Sequence, residues 1–164
     1  MNYQLAQVNI AKFRLPQDNP VNADFVNNLD AVNAIAESQP GFIWRLTGEG
    51  NSAMDLQVYD DPNIIVNLSV WSDVHALVNF VYRNDTHKNI MRRRKEWFDK
   101  IEFHMVLWWI EAERRPTVEE AKIRLELLRR SGPSYSAFTF KKPFAAPTGE
   151  ILNPFNDELS LIHI

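Results

Sequence analysis

Apolar and polar residues alternate along 3–13, with Ala6, Val8 and Ile10 on one side and Leu5, Gln7, Asn9 and Ala11 on the other, which predicts a strand. The period then changes. Phe25, Leu29, Val32, Ile35 and Ala36 recur at helical spacing over 24–38, and Pro40-Gly41 ends that helix. Phe42, Trp44 and Leu46 oppose Ile43 and Arg45 in a second strand over 42–47. Gly48, Gly50, Asn51 and Asp60-Asp61-Pro62 mark a turn-rich connection over 48–63, with a short strand at 56–59. A third strand spans Ile64–Trp71, and Ser72 caps a helix that turns Val74, Leu77, Val78 and Val81 inward. Asp85 or Thr86 caps a further helix across 86–101, and 104–110 is a strand apolar on both faces. Thr117 and Glu120, in capping-box spacing after Pro116, open a last helix over 118–130 that Gly132-Pro133 stops. Residues 137–140 suit an edge strand.

Two successive βαβ halves predict an α+β fold, the ferredoxin-like βαββαβ arrangement, with its helices on one face of a four-stranded antiparallel sheet. The third strand suggests which face. Ile64, Val66, Leu68 and Val70 form a wholly apolar side suited to helices, whereas Ile65, Asn67, Ser69 and Trp71 form a mixed side that continues through Gln7, Asn9 and Arg45. A mixed side is too apolar for open water and too polar for a plain core. Two copies packed sheet to sheet would enclose it, making a homodimeric α/β barrel with a cavity between protomers. The expected domain covers 1–140, including the extra C-terminal helix, and 141–164 is expected to be an arm or tail.

Bulk numbers narrow the class without changing this outline. A chain of 164 residues with 45% hydrophobic and 24% charged residues suits one soluble globular domain. No apolar run approaches the ~18 residues that span a bilayer, and the N-terminus lacks the pattern of a signal peptide. The absence of cysteine removes disulfides, thiolate nucleophiles and cysteine-held metals, and a cytoplasmic protein is the simplest expectation. A net charge of -3 argues against a nucleic-acid partner. The run Arg92, Arg93, Arg94, Lys95 points in four directions on a helix and makes no basic stripe. An RNA-recognition module shares the element order, but the third strand, IIVNLSVW, lacks its stacking aromatics. His75, His87, His104 and His163 are scattered, so no metal site is expected.

On one continuous helix across 86–101, His87 and Arg94 share a face with Ile90, Met91, Trp97, Phe98 and Ile101. A guanidinium turned inward needs a partner. Arg94 therefore clamps an anionic group of a small substrate or forms an internal ion pair, and Arg45 has the same two readings. Two arginines beside one cavity favour an anionic ligand. His87 serves as a proton shuttle or axial ligand, or is a half-buried histidine bonded to backbone. Asn9, Asn67 and Ser69 orient a ligand or bond across strands, and Trp71 lines the cavity or packs in the core.

The segments PGFIWRL at 40–46, VNLSVW at 66–71, FVYR at 80–83, RRRKEWF at 92–98, LWW at 107–109, RPTVEEA at 115–121 and AFTF at 137–140 carry a resemblance. Their order is similar to that of an uncharacterised bacterial family, a domain of unknown function within the dimeric α/β-barrel superfamily, over roughly 3–140. The superfamily includes monooxygenases of the antibiotic-biosynthesis type, some cofactor-free and some haem-degrading, together with stress-response and ligand-binding domains. Haem-degrading members use a first-strand asparagine, which Asn9 resembles, and a histidine on the helix after the third strand, which His87 resembles. Their tryptophan on that helix has no clean counterpart; Phe80 is the nearest aromatic in sequence, and Trp71 precedes the helix. The resemblance thus implies a monooxygenase-like protein acting on a small aromatic or haem-like molecule, with Asn9 and His87 as catalytic residues. It requires no cofactor and allows haem. A non-catalytic ligand-binding or stress-response dimer is the alternative.

Overall fold

The computed structural model describes residues 2–48, 54, 57–101 and 104–147. Strand β1 (Tyr3–Lys12) is central, between β3 (Ile64–Trp71) and β4 (Met105–Glu111), and β2 (Phe42–Arg45) flanks β3, giving the antiparallel order β2-β3-β1-β4. Helix α1 (Ala23–Ser38) joins β1 to β2, and α2 (Val74–Arg83), α3 (Asp85–Arg92) and α4 (Arg94–Trp97) lie between β3 and β4. Helix α5 (Val118–Ser131) follows β4. This is the ferredoxin-like βαββαβ order with an added C-terminal helix. Of the short strand expected at 56–59, residue 56 lies outside the described residues and 57–59 form none.

The helices occupy the faces differently from the expectation. Ala6, Val8 and Ile10 of β1, with Val66, Leu68 and Val70 of β3 and Val106, Trp108 and Ile110 of β4, form the wholly apolar side, and α5 covers it through Ala121, Leu125 and Leu128. The mixed side, carrying Leu5, Trp71 and Leu107, lies under α1 and α2, whose Ala36, Leu77, Val78 and Phe80 pack on it. Both faces are therefore covered from within the chain, and the burial expected from a second copy is supplied by α1 and α2. Handedness explains the difference. β1 and β2 run parallel with β3 between them, as do β3 and β4 with β1 between them, and right-handed crossovers fix the helix side by chain path rather than by apolarity.

Capping follows local chemistry. Thr117 accepts a hydrogen bond from the Glu120 amide as expected, while the Glu120 carboxylate is turned to the Trp108 indole at 2.8 Å. Asp73, not Ser72, caps α2, and Asn84, not Asp85 or Thr86, caps α3. Both have extended backbones and aim a side-chain oxygen at the third amide of the helix. A bulge between Phe42 and Trp44 shifts the register of β2, so Phe42 pairs with Trp71 on the mixed side while Trp44 packs on the apolar one. Residues 137–140 contribute a two-residue bridge, Leu107 with Phe138, rather than a strand. The chain stays on the sheet to Phe144, whose carbonyl accepts from the Trp109 indole at 2.7 Å; residues 148–164 lie outside the described residues.

Candidate functional site

Two apolar clusters bracket the mixed side of the sheet. At one end Leu5, Phe42 and Trp71 meet α1 and α2; at the other Phe13 stacks on Phe98 at 4.9 Å and contacts Phe25 of α1 edge-on at 5.8 Å. Between them lies a polar belt contributed by alternate residues of β1 and β3. Gln7, only 2% exposed, is its hub. Its Nε2 donates to Ser69 Oγ and to Asn67 Oδ1, both at 2.7 Å, and its Oε1 accepts from Asn9 Nδ2 at 3.1 Å. The Trp71 indole donates to the same Ser69 oxygen at 3.0 Å. Gln7 sits opposite Ser69, and Asn9 opposite Asn67, so strand register alone brings these groups together.

The belt has donors left over. Ser69 Oγ accepts two hydrogen bonds, so its own proton is directed away from Gln7 and Trp71. Asn67 is engaged through its oxygen, its amino group makes no hydrogen bond among the described residues, and it is exposed although its strand neighbours Leu68 and Ser69 are buried.

Helix α1 adds a group that the apolar-stripe pattern passes over. Asn33 falls on the stripe of Leu29 and Ala36 and is 7% exposed, yet it makes no hydrogen bond among the described residues. Among the described residues, side-chain atoms of Asn22, Trp97 and Ser134 are both sealed and unpartnered. The Asn33 amide is not among them and so retains access to a water-sized space.

His87 lies beside the belt. Its Nδ1 is 2.9 Å from the Val81 carbonyl, which can only accept, so Nδ1 carries the proton and Nε2 the lone pair of the neutral ring. Burial lowers its pKa and outweighs the opposing pull of that carbonyl. The Phe80 ring touches both His87, at 4.7 Å, and Trp71, at 5.5 Å. No hydrogen bond joins His87 to Asn9 or to the rest of the belt. Asn9, Asn67, Ser69 and Trp71 are thus brought together, and His87 reaches them only through Phe80.

The two arginines are placed otherwise than expected. The helix across 86–101 breaks at Arg93, whose backbone (φ -93, ψ 1) leaves the helical region, so the two segments do not share one face. Arg94 starts the short α4 and is exposed; its charge is felt by His104 and by Tyr82, whose pKa burial pushes up to about 12. Its neighbour Arg93 is the paired one, bonded to Asp24 and Glu96 at 2.8 Å each and lying over the Trp97 ring at 4.9 Å. Arg45 is on the mixed side, with its side chain 8% exposed, and it is tied to Glu37 of α1 at 2.6 Å. The sequence-based choices omitted Gln7 and Asn33. Both interrupt an apolar spacing with an amide, the same signal that drew attention to Arg94.

A separate groove of about 480 Å³ runs along the outside of α5 between Tyr59, Lys122, Ile123 and Leu127, and none of the sequence-predicted site residues lines it. Among the described residues no group of three histidine or carboxylate side chains could hold a metal ion, and no helix is long and apolar enough to cross a membrane.

No curated protein matches the chain. Solved structures that it resembles include SnoaB, a cofactor-independent oxygenase from Streptomyces nogalater, at 16% identity over 68% of this chain and 94% of that one (TM-score 0.44). A conserved protein from Methanosarcina mazei Go1 matches at 19% identity over 66% and 92% of the two chains (TM-score 0.43). PA3566 from Pseudomonas aeruginosa matches at 10% identity over 70% and 98% (TM-score 0.46). Likenesses this distant carry nothing about chemistry. The family model described as Domain of unknown function (DUF3291) matches residues 4–153, nearly the whole chain, and the protein belongs to that family.

Proposed function

We propose that the protein binds a small molecule against the polar belt of its mixed sheet side, with Gln7, Asn9, Asn67 and Ser69 as the binding groups. One observation carries this: Ser69 Oγ already accepts from both Gln7 and Trp71, which leaves a buried hydroxyl proton to be donated to something else. Buried polar groups are seldom left unused, and a ligand oxygen satisfies this one. The four binding groups lie on β1 and β3. Arg45 is neutralised by Glu37 and Arg94 stands outside, so neither supplies the anion clamp expected from the sequence.

Haem does not fit these residues. The Trp71 indole is fixed against Phe80 and bonded to Ser69, and Arg45, the arginine on this side among the described residues, is engaged by Glu37.

A second reading, monooxygenase-like turnover, is favoured by the fixed tautomer of His87. In that reading Nε2 takes the proton of an acidic O–H on a small aromatic substrate, and the Ser69 hydroxyl and Asn67 amide hold the resulting oxyanion.

Thermal-shift screening against small aromatic compounds tests both. A ligand at about 100 times its Kd adds ~2.7 kcal/mol of stability. Wild type is expected to gain stability from at least one compound, and Gln7→Leu to lose that gain. Turnover that persists in His87→Gln would remove the second reading; the first fails if no compound stabilises wild type.

A further inference from the structure

We infer that Asn33 is a further ligand-contacting residue and that the site takes an uncharged group offering both a hydrogen-bond donor and an acceptor, such as a carboxamide or lactam. This rests on the small-molecule site proposed above.

The position of Asn33 follows from helix and strand geometry. Glu37, one turn later on α1, pairs with Arg45, and Arg45 stands opposite Ser69. The C-terminal end of α1 lies at the Trp71 end of β3, because the chain turns directly from Gln39 through Gly41, whose carbonyl accepts from the Ser72 amide at 2.7 Å. Stepping back one helical turn from Glu37 moves about 6 Å away from that end. Stepping from Ser69 to Asn67 moves about 6.6 Å in the same direction. Along the strand direction this brings Asn33, on the helix that lies over β2, to about the level of Asn67, whose oxygen accepts from Gln7 and Asn9.

The chemistry of this slot is all amide and hydroxyl. Asn33 contributes a donor and an acceptor, Asn67 a donor, and Ser69 a donor. The nearest cation, Arg45, is held by Glu37 at 2.6 Å, so a bound carboxylate would meet no free counter-charge among the described residues of the belt. An amide meets its complement on both sides. An anion buried here would give up its hydration without a charge partner in return.

Benzamide and benzoate are a near-isosteric pair that separates the possibilities. The full chain, labelled with nitrogen-15, is titrated with each at millimolar concentration while the side-chain amide signals are followed. Benzamide is expected to move the Asn33 and Asn67 signals, with benzoate binding at least about tenfold more weakly. Asn33→Leu, or Asn33→Ser if the leucine variant does not fold, is expected to weaken benzamide by about tenfold while the Gln7 signals stay in place. Benzoate binding as tightly as benzamide overturns the neutral-ligand inference and leaves the small-molecule site standing. Benzamide binding unaffected by the Asn33 variant removes Asn33 from the site. If neither compound moves any signal of Gln7, Asn9, Asn33 or Asn67, this inference fails; the site itself is judged separately by the compound screen above.

Discussion

Gln7 Nε2 lies 2.7 Å from Ser69 Oγ across the β1–β3 ladder, and both side chains are buried. Replacing Gln7 by leucine removes one of the two donors to Ser69 Oγ, one of the two to Asn67 Oδ1, and the oxygen that accepts from Asn9. The expected loss is about 1–3 kcal/mol in urea unfolding. Ser69→Ala leaves the Trp71 indole unpaired and costs a similar amount. Because the two share one hydrogen bond, the double variant should cost less than the sum, with a coupling of at least about 0.5 kcal/mol. Simple additivity would show that the belt is not a connected network.

His87 sets an expectation for pH. Its folded pKa is lowered by burial, so near and below the ordinary histidine value of about 6.5 the unfolded chain binds more protons than the folded one. Stability is present above that value and falls as pH drops toward the folded pKa. His104 is shifted in the same direction, so the test is a difference. Wild type and His87→Gln unfolded in urea at pH 7.5 and 5.5 should show the smaller acid loss in the variant, whose amide can still reach the Val81 carbonyl. Equal losses would place the titration elsewhere.

The neighbouring arginines should respond in opposite order to the one their spacing suggests. Arg94→Ala is expected to stay within about 0.5 kcal/mol of wild type, as an exposed position without a partner among the described residues. Arg93→Ala breaks the ties to Asp24 and Glu96 and uncovers Trp97, and should be the more destabilising. A thermal melt ranking Arg94 above Arg93 would contradict this placement.

Gly41 adopts φ +87, and a Cβ there would stand 2.6 Å from that of Ala76 and 2.5 Å from Ser72 Oγ. Gly41→Ala combines backbone strain with a contact on α2 that cannot swing aside. A loss of about 1–3 kcal/mol is expected, read as a lower urea midpoint.

Element types were legible because the apolar period announces them: 2 in Ile64–Trp71, helical in Ala23–Ser38. The side taken by each helix was not. Ile64, Val66, Leu68 and Val70 fit α1 and α2 as well as they fit α5, and the choice belongs to crossover handedness, which periodicity does not encode. The residues of the belt were legible at Asn9, Asn67 and Ser69 by strand parity, which also marks Gln7. Arg94 misled because one backbone residue, Arg93, leaves the helix and resets every angle after it. The link from Glu37 to Arg45 crosses elements, and spacing within either one carries no trace of it.

The helix that seals the apolar side is made late. During synthesis β1, β3 and β4 can pair before residues 118–131 have left the ribosome, leaving Leu68, Val70 and Trp108 facing outward on the nascent chain. Ribosome-bound chains stalled with Glu111 just outside the exit tunnel should therefore be sticky, and chaperone demand should end when α5 emerges.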